Sequence, residues 1–239
     1  MARVQLFVGQ IRPLPESGRP TGMYKQPVVA TLQLGHLGLA GDQQADPRVH
    51  GGPEKAVHLY PARHYAELAR AFPDAAPLLV PGSIGENLSS AELDERDVRV
   101  GDVWRLGNAL LQACQPRNPC WKIDERFGCQ GMAAFIVAQR ITGWYWRVVQ
   151  PGLVEPGDAL ELAQRTPRAA TLREALDTWH APQPSVGDLQ RLAQTPGIAA
   201  HWRSRIEQRV AWLLAQAPAA AQEGQAPAPV KAPAPRPSP

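Results

Sequence analysis

The run Val98-Arg99-Val100-Gly101-Asp102-Val103-Trp104-Arg105-Leu106-Gly107-Asn108-Ala109-Leu110-Leu111-Gln112-Ala113-Cys114 reads as three short strands separated by two glycine turns. Strands this short, with turns this close, indicate a small antiparallel sheet or barrel. The same turn-then-strand style returns at Val154-Glu155-Pro156-Gly157-Asp158-Ala159-Leu160-Glu161-Leu162, which implies a barrel closing on itself. Further strands are expected at residues 4–8, 28–34, 57–60 and 144–149. Helical spacing over residues 64–71 puts Tyr65, Leu68 and Phe72 on one side, and residues 132–141 form a second helix. The fold class is mainly β with α.

The strand ending at Cys114 runs into Gln115-Pro116-Arg117-Asn118-Pro119-Cys120-Trp121-Lys122. Its prolines fix φ and push the residues before them into extended conformations, so the turn is largely pre-set. Arg117 and Lys122 favour the thiolate of Cys120, the form that binds metals and attacks electrophiles. A buried, inert cysteine is the competing reading.

Two loops are rich in groups that suit an anion. Gly18-Arg19-Pro20-Thr21-Gly22-Met23-Tyr24-Lys25 combines small residues, a hydroxyl and two cations. Residues 38–57 have few core-forming side chains yet lie mid-chain, where long irregular segments are usually functional or disordered. Within them the turn His50-Gly51-Gly52-Pro53 lets backbone N–H groups approach a ligand, and Lys55 and His50 add charge and directed donors. Glu86 and Asn87, an acid beside an amide, suit a ligand that presents both donors and acceptors. His58 and His64 read as packing residues.

Composition narrows the class. The net charge of +3 is scattered, which argues against a nucleic-acid partner but leaves room for a small anionic ligand. Three cysteines without CxxC spacing point to a reducing, cytoplasmic setting, and no apolar run approaches membrane-spanning length. After Pro167 the pattern becomes helical. Thr171 and Glu174 form a capping-box pattern, followed by helical stretches at 188–193 and 199–214. The expected organisation is therefore a β-barrel domain (1–167), a small three-helix domain (168–215) and a disordered Pro/Ala-rich tail (216–239).

Three chemistries fit a single emphasised cysteine. A zinc site wants three or four ligands at short spacings, which are missing here. A cysteine hydrolase would need His50 or His58 beside Cys120 after folding. The third is a thiolate giving one protein ligand to a metal whose other ligands come from an organic cofactor.

The segments Gly38-Leu39-Ala40-Gly41-Asp42, His50-Gly51-Gly52-Pro53-Glu54-Lys55-Ala56-Val57, Gly85-Glu86-Asn87-Leu88 and Gln115-Pro116-Arg117-Asn118-Pro119-Cys120 occur in that order. Together they resemble the MOSC domain, specifically its YiiM group, with the three-helix region also matching that group. The resemblance implies a molybdenum cofactor, a pterin dithiolene with a phosphate, anchored through Cys120. It implies reduction of small N-hydroxylated compounds such as 6-hydroxylaminopurine, with electrons from a separate reductase. On that reading Cys120, His50 and Asn118 are the catalytic candidates. Arg19, Thr21, Lys25, His50, Gly51, Lys55, Glu86, Asn87, Arg117 and Asn118 are the cofactor-binding ones. A cofactor carrier, a sulfur-transfer protein using Cys120 and an adaptor are the alternatives. The expected state is a monomer or homodimer, and Cys114 and Cys129 are expected to pack.

Overall fold

This computed structural model describes residues 2–223. Its main sheet has the order Ala2–Arg3, Ala159–Gln164, Val103–Leu106, Ala109–Pro116, Trp144–Gln150, Val57–Pro61, Leu88–Ser90, Gln5–Gly9, Lys25–Pro27. Every neighbouring pair is antiparallel except Val57–Pro61 with Leu88–Ser90. Val4 alone separates Ala2–Arg3, one end strand, from Gln5–Gly9, next to the other end, so the sheet curls back toward itself. Its end strands, Ala2–Arg3 and Lys25–Pro27, do not pair with each other, which makes it a curled half-barrel rather than a barrel closed on itself.

Alternation explains the central strands. In Ala109–Pro116, Ala109, Leu111 and Ala113 point into the core while Leu110 and Gln112 lie half-buried. Trp104 and Trp144 each meet Trp146 edge to face in the interior, with centroids 6.4 and 5.8 Å from it. The hairpin between Val103–Leu106 and Ala109–Pro116 needs glycine at 107. Its φ is +52°, and a Cβ there would meet the Leu153 carbonyl oxygen at 2.5 Å.

Some expected elements are redrawn. Residues 28–34 do not form one strand: Lys25–Pro27 pairs with Gln5–Gly9, while Leu32–Gly35 pairs with Gly152–Val154 in a second sheet. The chain changes sheets between them, and Val29 is 94% exposed. Residues 98–100 make no ladder. Arg99 forms an isolated bridge to Thr171, and Val100 N and Leu172 N exchange bonds with Ala170 O and Val98 O. A helix that the sequence reading lacked spans Lys122–Phe127, buries Ile123 and Phe127, and ends on Gly128 in the left-handed region. The helix from Met132 ends at Gln139.

A second apolar cluster sits beside the barrel, where Tyr60, Tyr65, Leu68, Ile84, Ile123, Phe127 and Ile136 join the helices His64–Ala71, Lys122–Phe127 and Met132–Gln139. The C-terminal helices Leu172–His180, Val186–Ala193 and Ala200–Glu223 follow, the first with the expected Thr171–Glu174 capping box. Their Leu172, Leu189, Trp202 and Ile206 belong to the same apolar cluster as the barrel interior. The last helix continues to Glu223, past the expected start of the tail. The expectation of disorder for 224–239 lies outside the described residues.

Candidate active site

The turn after Ala109–Pro116 opens at one end of the barrel. Arg117 N donates to Gly143 O at 3.0 Å, which fixes where the chain leaves the sheet. Cys120 follows half-buried, and its carbonyl accepts from Ile123 N at 3.0 Å as the helix Lys122–Phe127 begins. The thiol therefore sits between a strand end and a helix start, on the wall of a cleft with about 70 Å³ of internal space.

Cations dominate the cleft. Lys25, Lys55, Arg117 and Lys122 line it with His50, His58, Thr21 and Tyr145. Lys25 is neutralised by a buried ion pair with Asp42. The other three have no carboxylate partner among the described residues. Lys55 Nζ donates to the Val49 carbonyl and Lys122 Nζ to the Pro20 carbonyl at 2.7 Å. Arg117 is 8% exposed, and its buried Nη1 has no hydrogen-bond partner. An unpaired guanidinium removed from water is costly unless a ligand supplies the missing charge.

The same cations hold the imidazoles neutral. Burial pushes the His50 pKa down, and Arg117, Lys122 and Lys55 push it further. Burial, with Arg117, holds His58 well below the ordinary histidine range, and its Nε2 is buried without a partner. Desolvation lowers Lys55 as well. In each case burial is the largest cause of the shift, and for the two histidines the neighbouring cations add to it.

Two loop contacts shape the entrance. A Cβ at Gly22 would meet the Gln43 carbonyl oxygen at 2.3 Å, so this glycine lets the 18–25 loop lie against residues 42–45. Asp42 Oδ1 accepts from Gly9 N and Oδ2 from Asn87 Nδ2, both within 2.9 Å.

Most of the expected residues converge. Thr21, Lys25, His50, Lys55, Asn87, Arg117 and Cys120 line the cleft, and Asn118 lines the adjoining cavity described below. Three do not reach either cavity. Arg19 is exposed and stacks on the Trp121 ring, its guanidinium carbon 5.6 Å from the centroid. At Gly51 a Cβ would meet Gln44 Oε1 at 2.1 Å, so this residue makes room for a neighbouring side chain. Glu86 is fully buried and its carboxylate accepts from Gly82 N and Tyr65 OH, which ties the 82–86 turn to the helix His64–Ala71. Asn87 has its own bonds, with Oδ1 accepting from His58 N.

Tyr145 and a helical wall were not expected from the sequence. His58 and His64 both pack as read, His58 buried against Tyr60 and Tyr145 and also reaching the cleft wall, His64 against Glu95 at 2.8 Å. A second cavity of about 220 Å³ shares His50, Lys55, Arg117, Cys120 and Tyr145 with the first. Its far side is Trp179 and His180 at the end of Leu172–His180, with His201, Trp202 and Arg205 from the start of Ala200–Glu223. Glu54 seats that last helix: both carboxylate oxygens accept from Ala200 N, at 2.9 and 3.0 Å, while Oε1 also pairs with Arg147. An anion at a helix N-terminus is the favourable arrangement.

Among the described residues no helix is long and apolar enough to cross a membrane. The MOSC domain family matches residues 46–161. Protein YiiM of Escherichia coli is 37% identical over 206 residues, 86% of this chain and 91% of that protein. Its crystal structure superposes with a TM-score of 0.74 at 32% identity, covering 88% of this chain and 92% of that one. A protein of Gibberella moniliformis named reductase is 32% identical over 164 residues, which are 68% of this chain and 29% of that longer protein.

Proposed function

This chain belongs to the MOSC domain family, and on that premise we propose that it is an oxidoreductase that binds the molybdenum cofactor and reduces N-hydroxylated compounds. The observation that carries the reading is the buried, unpartnered Arg117 Nη1 in the same cleft as the half-exposed Cys120 thiol. A pterin dithiolene bearing a phosphate matches both features: one thiolate to anchor the metal and one buried guanidinium to take an anion. The reductase-named relative supports the reaction class.

Cys120 would hold molybdenum through its thiolate. Arg117, Lys55 and Lys122 would take the phosphate and the remaining negative charge, with Thr21 as a hydroxyl donor. When bound, the cofactor supplies a two-electron couple and a Lewis-acidic site. The overall change is R–NH–OH plus two electrons and two protons giving R–NH₂ and water, with a separate reductase as electron source. His50 lines both cavities and would pass protons to the departing oxygen. Its pKa is lowered first by burial and then by neighbouring cations, and an anionic cofactor would offset the second of these. Asn118, on the wall of the second cavity, would orient the substrate.

The test is protein expressed in a host that makes the cofactor. The expected result is stoichiometric molybdenum, a released pterin fluorophore and reduction of 6-hydroxylaminopurine by a reduced viologen dye. Cys120→Ala should remain folded and lose both metal and turnover. A Cys120→Ala protein that turns over normally would end the assignment, and a metal-loaded wild type that never turns over would mark a carrier.

A further inference from the structure

The second cavity joins the cofactor cleft to the C-terminal helices and holds more cationic side chains. No carboxylate lines it; its ionisable residues are His50, Lys55, Arg117, Cys120, Tyr145, His180, His201 and Arg205. The acids adjoining it in sequence are engaged elsewhere, Glu54 by Ala200 N and Arg147 and Asp177 by Arg140 and Arg173. Two arginines flank the Trp179 ring, but their situations differ. Arg209 is fixed by the Trp179 and Ala181 carbonyls. Arg205 is exposed, has no hydrogen-bond or ion-pair partner among the described residues, and is held only by the ring, 5.3 Å from its centroid. A guanidinium propped on an aromatic face at a cavity wall, with its donors free, is preorganised for an anion. Its field reaches the cleft, since Arg205 contributes to lowering Lys55.

We propose that Arg205, with His201, is the recognition site for a negatively charged group on the substrate, so that the protein prefers a base carried as its nucleoside 5′-monophosphate over the free base or nucleoside. The identity of the base rests on the function proposed above; the anion site does not. The cavity runs from Cys120 and His50 at one end to Trp179 and Arg205 at the other, so a ligand held at both ends extends beyond the base itself. A nucleotide would place its base toward Cys120 and its phosphate toward the helices. The cofactor's own phosphate belongs with Arg117, which leaves Arg205 for the substrate.

Binding separates this from the catalytic reading, because it needs no loaded cofactor. Full-length protein is titrated by calorimetry with adenosine, adenosine 5′-monophosphate and inorganic phosphate. The monophosphate is expected to bind about ten- to hundredfold more tightly than adenosine, the ratio one charge-assisted hydrogen bond confers. Arg205→Gln, which keeps a polar side chain on an exposed helix face, is expected to abolish that ratio without changing the Tm. Equal binding of adenosine and its monophosphate overturns the proposal. So does a preference that survives Arg205→Gln, which places the anion elsewhere, or one matched by inorganic phosphate alone, which leaves the nucleoside no part in recognition. If no N-hydroxylated compound is reduced yet the ratio and its loss are seen, the anion site stands and the proposed reaction falls.

Discussion

Cys114 and Cys120 are six positions apart and chemically unalike. Cys114 faces the barrel interior, where burial pushes its thiol up to about 12 and Sγ lies 3.1 Å from the Glu54 carbonyl oxygen. Cys120 lies on the wall of a cationic cleft. In native protein a thiol reagent at mildly alkaline pH should label Cys120 and leave Cys114 untouched until unfolding; mass spectrometry of the labelled peptides decides this. Arg117 makes an opposite pair of predictions. Arg117→Gln should bind cofactor more weakly while leaving the cofactor-free protein as stable as wild type or more so, because it removes an unpaired buried charge. A large fall in cofactor-free Tm would show that the guanidinium supports the fold instead. His58 sets a pH dependence. Its folded pKa lies well below the unfolded value of about 6.5. Above that value both states are neutral and stability is complete. Below it the unfolded chain takes up a proton that the folded chain refuses, so stability falls by up to about 1.4 kcal/mol per pH unit. Denaturant titrations across this window should show the slope, and His58→Phe should flatten it.

At the scale of elements, Glu54 connects two parts of the chain that are far apart in sequence. Its carboxylate accepts from the first N–H of Ala200–Glu223, and its backbone oxygen accepts from Gln115 Nε2 at 3.1 Å beside Cys114. Glu54→Gln should therefore weaken the seating of this helix by about 0.3–2 kcal/mol, the range for an anion at a helix N-terminus. Urea midpoints of the two proteins would read it, and hydrogen exchange should localise the loss to residues 200–206. The elements themselves were unevenly legible. The capping box at Thr171 and the glycine hairpin at 107–108 depend on residues close in sequence, and both appear as read. The Lys122–Phe127 helix was missed because its pattern covers barely two turns, although Ile123, Phe127 and the Gly128 stop carry a signal.

At the scale of the whole molecule, the barrel core and the C-terminal helices form one continuous apolar cluster. Leu172, Ile198, Trp202, Ile206 and Val210 are buried in the same set as Leu106, Leu111 and Trp146. A chain ended after Ala170 would expose that face, and burial of a large apolar side chain contributes about 1.5–3 kcal/mol each. The truncated protein is expected to be insoluble or to melt far below the full chain; equal melting curves would show that the barrel stands alone. Cutting there would also remove one wall of the second cavity. The helices are thus expected to matter for ligand choice as well as for stability.

Alternation, turn glycines and capping residues are local patterns, and these alone yielded the mainly β class, the longer strands of the main sheet and the three C-terminal helices. Ordered motifs likewise picked out Cys120, Arg117, His50 and Lys55, because a site that must bring backbone close to a ligand leaves glycine and proline signatures around its polar residues. Tertiary structure decided which polar residues face the cleft. It turned Glu86 into a buried tie to Tyr65, left Arg19 outside on Trp121, brought His58 and Tyr145 to the cleft wall and closed the second cavity with Trp179 and Arg205. Those outcomes depend on contacts between residues far apart in sequence and on which charges lose their water, and neither quantity exists until the chain is packed.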